Sequence, residues 1–253
     1  MTPHRSLAAA VMVVVLLAGC GVPPGQPRAD VVTLAPNDVL AFEPLYAENC
    51  AGCHGANGQG GAAIALANPV YLAIVDDRSM RATIADGVRG TSMPAFEQRA
   101  GGMLTEKQID ALVEGIRSRS SRPVSLEGAN PPPYAATSAG DVHRGAVVYQ
   151  TFCQWCHGAD GRGGPKGSAI TNDSFLALTS DQALRTMVIA GRPELGAPDW
   201  RGAAGPALSS VEGRPMSDQE VTDVVSWLAS HRVAAPGQPY VPERSASGGL
   251  RVE

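Results

Sequence analysis

The sequence predicts an all-α protein made of two tandem domains, each with three to four short helices around a common centre. The first observation behind this prediction is a twelve-residue segment that begins at Cys50 and recurs at Cys153. The second is a spacing of three to four residues between apolar positions on both sides of each segment, which is typical of helices. The third is that the glycine- and proline-rich stretches lack the alternating pattern of strands. Helices this short depend on tertiary packing, so each copy is expected to wrap around a centre of its own.

The two copies keep a nearly constant spacing along the chain. Residues 50–61 recur as residues 153–164, at an offset of 103. The offset then grows to 104, and it reaches 112 where residues 105–109 match residues 217–221, so the second copy has gained nine residues in all. Such self-similarity indicates a duplicated domain, and a chain of 253 residues has room for two.

The last helix of each copy has a recognisable start. Thr105 and Ser217 are good N-cap residues, and Leu104 and Met216 precede them in the position of a hydrophobic staple. Apolar residues then follow at helical spacing in both copies, which predicts one buried face for each last helix. The middle helix of each copy is predicted at residues 79–85 and 181–190.

Changes in composition divide the chain into six segments. The stretch between the two copies holds serine, glycine and three consecutive prolines, so it is expected to behave as a semi-rigid extended spacer. The predicted segments are a leader at 1–19, a flexible tether at 20–34, a first domain at 35–118, a linker at 119–140, a second domain at 141–232 and a disordered tail at 233–253.

The start of the chain predicts export and attachment to a membrane. The apolar run from Leu7 to Ala18 is too short for a comfortable membrane span, which is typical of a signal peptide. It ends in Leu17-Ala18-Gly19-Cys20, which resembles the lipobox of bacterial lipoproteins, in which cleavage leaves the cysteine lipid-modified. The alternative is an ordinary signal peptide followed by an incidental cysteine. Because the other four cysteines occur in pairs, we predict that Cys20 carries the lipid and holds the chain at the bacterial cell envelope, facing the periplasm or the outer side of the cytoplasmic membrane.

The charge of the chain excludes one class of function. Acidic residues number 24 and basic residues 20, which gives a formal net charge of −4. No basic run and no mixture of basic and aromatic residues occurs, so the sequence gives no support to nucleic-acid binding.

The repeated segment contains the pattern Cys-x-x-Cys-His, which is the attachment signature of c-type haem. The first copy supplies Cys50, Cys53 and His54, and the second supplies Cys153, Cys156 and His157. Two thiols at this spacing can form thioethers with the two vinyl groups of one haem, and the adjacent histidine can bind the iron from one face. We therefore predict two covalent haems c, one in each domain.

Three other uses of a cysteine pair compete with haem attachment. A thioredoxin-like redox pair needs a βαβ setting, whereas the surroundings here are helices and glycine loops. A structural zinc site needs two such pairs close together, whereas these lie about a hundred residues apart. A plain disulfide would leave His54 and His157, which occupy identical places in the two copies, without an explanation.

Both copies resemble class I cytochrome c domains. The resemblance rests on Cys-x-x-Cys-His, the Gly-Ala-Asn/Asp-Gly-x-Gly-Gly that follows it, a later Met-Pro in the first copy and a capped final helix, and it covers residues 35–120 and 141–232. It implies an all-α fold whose first and last helices cross and bury the haem with one edge exposed. The whole chain is similar to bacterial dihaem cytochrome c lipoproteins associated with respiratory complexes.

The sixth ligand of the iron differs between the two copies. Met93, followed by proline, lies where the resemblance places the axial methionine of the first haem, but the same register puts Ala197 in the second copy. A thioether sulfur is a soft ligand that raises the reduction potential, and alanine cannot bind iron. The candidates for the second haem are Met216, which also fits the staple position, Met187 on the middle helix, and a vacant or water-bound iron.

These features favour an electron carrier over an enzyme. Two haems at a membrane surface suit a relay between a membrane respiratory complex and a soluble electron acceptor, and no cluster of catalytic groups stands out. The alternative is a dihaem enzyme that works on a small molecule at an open second haem, with Ala197 as its supporting feature. We interpret Arg192, Asp199 and Arg201 nearby as solvated loop charges. A small-ligand sensor or a structural cytochrome has no supporting feature.

Overall fold

Helices make up nearly all the regular secondary structure in the described residues, which are 34–119, 130–202 and 214–233 of a computed structural model. Within these ranges the only extended pairings are two isolated bridges, Glu97–Leu104 and Arg192–Ala197. The predicted all-α class is confirmed. No helix in these ranges is long and apolar enough to span a bilayer.

The first copy contains five α-helices, more than the three to four predicted. The additional piece α3 is a short helix that forms because the Asn68 side chain accepts the backbone N–H groups of Val70 and Tyr71. The middle helix begins earlier than predicted because Asp76 caps it. The helices are α1 Phe42–Asn49, α2 Ala51–His54, α3 Pro69–Ile74, α4 Asp77–Asp86 and α5 Glu106–Ser118, with 3₁₀ turns at Pro36–Asp38 and Gln98–Ala100.

The second copy repeats this order. Asn172 caps its third helix just as Asn68 caps α3, and its middle helix has the predicted bounds. The helices are α6 Val142–Phe152, α7 Gln154–His157, α8 Asp173–Leu178, α9 Asp181–Ala190 and α10 Asp218–Ala229, with a 3₁₀ turn at Pro193–Leu195.

The predicted caps of the two last helices are present. The Thr105 side chain accepts the Gln108 backbone N–H while the Gln108 side chain accepts the Thr105 N–H, which is a capping box. Ser217 and Glu220 form the same box at the start of α10. Exchanges of this kind satisfy N–H groups that the first turn leaves without partners, so they fix where each helix begins.

The first and last helices of each copy cross at a glycine, but the glycine lies on opposite helices in the two copies. In the first copy, a Cβ added to Gly115 on α5 would lie 2.0 Å from the ring of Phe42 on α1. In the second, a Cβ added to Gly145 on α6 would lie 2.1 Å from the backbone oxygen of Asp223 and 2.8 Å from the Cβ of Trp227 on α10. The glycine therefore lies on the last helix in the first copy and on the first helix in the second, and the aromatic residue beside it, Phe42 or Trp227, lies on the opposite helix.

Replacing Gly145 by alanine is expected to destabilise the second domain. The added methyl group would meet the backbone of α10, which cannot move aside without separating the two helices, so the unfolding free energy should fall by about 2 kcal/mol. Denaturant unfolding of the purified chain measures this change. Gly52→Ala is the matched control because a Cβ there meets nothing within 4 Å and the second copy carries Trp155 at that place. Equal stability of both variants would contradict the role given to the crossing.

Part of the segment predicted as a linker is held against the second copy. Pro132 is buried, and the Tyr134 carbonyl accepts a hydrogen bond of 2.7 Å from the side chain of Gln182. Arg185, itself buried, donates to the Pro133 carbonyl at 2.8 Å and to the Thr222 hydroxyl at 3.0 Å. A buried guanidinium needs acceptors for its N–H groups, and the backbone of this segment supplies some of them.

Of the described residues, those from Val39 onwards form one compact unit, and residues 34–38 belong to a separate one. Within the larger unit, a continuous cluster of buried side chains extends from the first copy into the second. The predicted leader, Cys20, nearly all of the tether and nearly all of the tail lie outside the described residues.

Candidate haem sites

Each Cys-x-x-Cys-His motif lies at a break between two helices. We call Cys50, Cys53 and His54 the first site, and Cys153, Cys156 and His157 the second site. In each, the first cysteine lies between the two helices, and its backbone N–H still bonds to the preceding turn. The second cysteine and the histidine lie on the one-turn helix that follows, which ends at a glycine with a φ of 82° in both copies.

A tyrosine ties each motif to the helix before it. The Tyr46 hydroxyl donates to the Gly55 carbonyl at 2.8 Å, and the Tyr149 hydroxyl donates to the Gly158 carbonyl in the same way. Both tyrosines are buried. Each bond joins the first helix to the residue directly after the histidine, and this fixes how the motif leaves the helix.

The histidine of each site is oriented by a backbone carbonyl. His54 Nδ1 lies 2.8 Å from the Ile64 oxygen, and His157 Nδ1 lies 2.7 Å from the Ser168 oxygen. A neutral ring bonded in this way carries its proton on Nδ1 and leaves the lone pair of Nε2 free, as an iron ligand requires. Burial lowers the pKa of His54, which also favours the neutral ring. Both histidines fit the role of haem ligand.

The thiols fit attachment to haem better than the alternative uses. All four are unbonded, and burial raises the pKa of Cys50 to about 11 and that of Cys153 to about 12, so both are neutral near pH 7. Neutral thiols are poor redox nucleophiles and poor zinc ligands. No group of three or more His, Cys, Asp or Glu side chains in the described parts of the chain is placed to hold a metal ion, and the helical surroundings differ from the βαβ setting of thioredoxin.

Two equivalent loops carry Met93 in the first copy and Ala197 in the second. We call residues 87–96 the first axial loop and residues 191–200 the second. Each starts at a glycine with a φ of about 65°, at which an added Cβ would strike the backbone further along the same loop. Val88 N–H donates to the Met93 carbonyl at 2.9 Å, and Arg192 N–H donates to the Ala197 carbonyl at 3.0 Å. The backbone therefore places Ala197 where the first copy has Met93.

Met216 takes the place of Leu104. Its N–H donates to the Trp200 carbonyl at 2.8 Å, just as the Leu104 N–H donates to the Phe96 carbonyl at 2.7 Å. Both side chains are buried next to the cap of a last helix. This placement favours the staple role of Met216 over a role as iron ligand. Met187 packs on α9 against the small cluster around Leu176.

The two copies contact each other close to both sites. The Asn68 side chain donates to the Ala190 carbonyl at 2.9 Å, and Arg192 Nη2 donates to the Gly61 carbonyl at 2.8 Å. Gly61 belongs to the loop around His54, since a Cβ there would lie 2.7 Å from the His54 carbonyl carbon. Arg192 belongs to the second axial loop. The loop around the histidine of the first site therefore contacts the axial loop of the second.

Arg192 corrects one interpretation made from the sequence. It is not a solvated loop charge, because its side chain is only 12% exposed and pairs with Glu194 as well as with Gly61. Its positive charge also contributes to the lowered pKa of His54, although burial of that histidine is the larger cause. The sequence around Arg192 does not indicate this contact with the first copy, because its partner Gly61 lies 131 residues away in the chain.

Replacing Arg192 by alanine is expected to lower the reduction potential of the first haem. Loss of a nearby positive charge favours the more positively charged oxidised state of the iron. The loss of one partly buried hydrogen bond should also reduce the unfolding free energy by about 1 kcal/mol. Potentiometric titration of the purified chain measures the reduction potential. The control is Arg162→Ala, because the side chain of Arg162 is 83% exposed. An unchanged potential would show that the contact between the copies carries no electrostatic influence.

The fold and the two sites define a pair of cytochrome c-type domains in tandem. Residues 37–114 match the family described as cytochrome c oxidase, cbb3-type, subunit III, and residues 142–232 match the family described as cytochrome c. These matches confirm the predictions of tandem cytochrome c domains and of two c-type haems. The individual attachment and axial residues stay predictions.

Several curated proteins are similar to this chain. The cbb3-type cytochrome c oxidase subunit CcoP of Azospirillum sp. is 35% identical over 142 residues, which are 50% of this chain and 43% of that protein. The subunit FixP of Azorhizobium caulinodans is 28% identical over 65% of this chain and 52% of its own length. The subunit CcoP of Cereibacter sphaeroides is 27% identical over 62% of this chain and 52% of its own. The chain spans about half the length of these relatives.

Proposed function

We propose that this chain is a dihaem electron carrier of a membrane respiratory chain. In this proposal Cys50 and Cys53 bind the first haem covalently, and Cys153 and Cys156 bind the second. His54 and His157 would each bind the iron of their own haem, and Met93 would be the second protein ligand of the first iron.

The observation that carries the proposal is the orientation of the two histidines. Each motif presents two free thiols and an imidazole whose Nδ1 is bonded to a backbone carbonyl, which leaves Nε2 for another partner, and the same backbone contacts hold both motifs. An electron carrier needs iron centres that change charge with little rearrangement around them. The carbonyls of Ile64 and Ser168 would meet this need, because each holds its imidazole ring in one orientation through Nδ1.

The residues around the sites position the haems and influence their potentials. Bound haem would supply reversible one-electron chemistry, and the protein provides ligands, orientation and burial. Because His54 is buried, an iron bound to its ring would be shielded from water, and a thioether from Met93 would favour the reduced state. The contact of Arg192 with Gly61 holds the two sites in a fixed relation, which suits electron transfer between them.

We propose that the redox partner at the membrane is a terminal oxidase of the cbb3 type. The match of residues 37–114 to subunit III of such oxidases and the similarity to CcoP and FixP support this partner. The other redox partners that an electron relay of this kind could use are a quinol-oxidising complex and a soluble electron acceptor. A lipid on Cys20 would hold the chain at the outer face of the membrane and raise its effective concentration near the complex.

Reoxidation of the reduced chain tests this function. The full chain, matured in a host with haem-attachment machinery and reduced, is mixed with membranes that contain a cbb3-type oxidase in the presence of oxygen. Rapid reoxidation that cyanide blocks is the expected result. The Cys20→Ala variant is expected to leave the membrane fraction yet to be reoxidised when it is added in excess. A reduced chain that stays reduced beside an active oxidase would refute the proposed partner.

A further inference from the structure

We propose that the second haem has an open sixth coordination position beside Ala197, which binds small neutral ligands such as carbon monoxide. This inference rests on the proposed attachment of haem at Cys153, Cys156 and His157. It makes the two haems different in kind, with a closed first site and an open second one.

The second axial loop has the same backbone bond as the first, although it has alanine in place of methionine. The N–H of Ala197 donates to the Arg192 carbonyl and the N–H of Arg192 donates to the Ala197 carbonyl, both at 3.0 Å. These two bonds hold the backbone of Ala197 at the position that Met93 occupies in the first copy. Only the side chain differs, and a methyl group offers no lone pair to iron.

Neither methionine of the second domain is placed to replace the missing thioether. The Met216 backbone is bonded to Trp200, and its buried side chain belongs to the core beside the cap of α10. Met187 lies on α9, with its side chain against the cluster of Leu176 and Leu184. A move of either side chain to the iron would remove apolar packing that the structure already uses.

The remaining nitrogen donors of the second domain are also engaged elsewhere or exposed. His143 lies exposed in the first turn of α6. His231 Nδ1 bonds to the Trp227 carbonyl at 2.8 Å, and its ring packs on the edge of Trp227. Lys166 lies over the ring of Trp155. The sequence of residues 203–213 contains no methionine, histidine, lysine or cysteine.

The charges in and directly after the second axial loop indicate a neutral ligand. Arg201 and Asp199 neutralise each other through a 2.7 Å contact, and Arg192 pairs with Glu194. An anionic ligand would therefore find no excess positive charge in these pairs. Reduced haem iron with a free position binds carbon monoxide, which makes this gas a suitable probe.

Titration with carbon monoxide tests the open position. The full holoprotein is reduced and titrated, and about one carbon monoxide per two haems is expected to bind. The variant Ala197→Met is expected to bind none and to gain a second Fe–S charge-transfer band in the oxidised spectrum, because it restores the thioether. Met216→Leu is the control, and it should leave both readouts unchanged.

Two results would overturn the inference. The first is a wild-type protein with two haems that binds no carbon monoxide. The second is a Met216→Leu variant that loses a charge-transfer band and gains carbon monoxide binding, because Met216 would then be the ligand. A pyridine haemochrome count on the same samples distinguishes failure of the open-site inference from failure of the proposed function. Failure of the proposed function would appear as fewer than two haems per chain.

Discussion

The Met93→Ala variant should lose the Fe–S charge-transfer band of the oxidised protein completely. In the proposed arrangement Met93 is the one methionine bound to iron, because Ala197 occupies the equivalent place in the second copy and Met216 is buried beside a cap. The variant should also bind about two carbon monoxide molecules, since both irons would then lack a strong sixth ligand. Optical titration of the reduced and oxidised protein measures both effects.

The same substitution should lower the reduction potential of the first haem, because a thioether favours the reduced iron. Met103→Ala is the matched control, since this methionine of the same domain is 78% exposed. If half of the band remained in Met93→Ala, a second methionine would have to be bound to the other iron, and the inference of an open second site would be wrong. An unchanged spectrum would show that Met93 is not a ligand at all.

The parts of the fold that were predictable are those with local causes. The cysteine motifs, the caps at Thr105 and Ser217 and the bounds of α9 depend on residues within a few positions of each other. The identity of the fold depends on the same local patterns, because a haem motif and a capped last helix recur at matched places. For the candidate sites, the proposed haem-binding residues and the difference between Met93 and Ala197 could therefore be read from the sequence, and the roles of these residues stay predictions.

The parts that were not predictable depend on contacts between distant segments. Arg192 was interpreted as a solvated charge because nothing near it in the sequence indicates that it meets Gly61. The arrangement at the crossing helices, in which the glycine and the aromatic residue change places between the copies, was missed for the same reason. Gly115 and Gly145 are unremarkable in their own helices, and each is explained only by the residue that crosses over it.

These distant contacts change how the duplication is understood. Two domains joined by an extended spacer would exchange electrons only when they happened to meet. The buried Pro132 and the bonds from Arg185 to the neighbouring carbonyl hold residues 130–140 against the second domain, and Asn68 and Arg192 join the copies directly. The two copies therefore contact each other directly near both sites, and this contact would shorten the path for electron transfer between the proposed haems.

Removal of both thiols of the first site should remove one whole haem. We expect the double variant Cys50→Ser, Cys53→Ser to carry one covalent haem instead of two, because thioethers cannot form and His54 alone does not retain haem through denaturation. Intact-mass analysis of the purified protein shows the loss directly. The Cys20→Ala variant, which changes only the proposed anchor, should keep both haems.

The double variant should also lose stability in its first domain while the second domain keeps its haem. The haem is expected to fill the centre around which α1 to α5 fold, and helices of four to thirteen residues are not stable without such a centre. The visible spectrum should therefore show one haem, the one without the Fe–S band, and thermal unfolding should show an earlier first transition. If both haems were still bound after denaturation, attachment through Cys50 and Cys53 would be refuted. If the second haem were lost as well, the second domain would depend on the first for its maturation, in line with the contacts at Asn68 and Arg192.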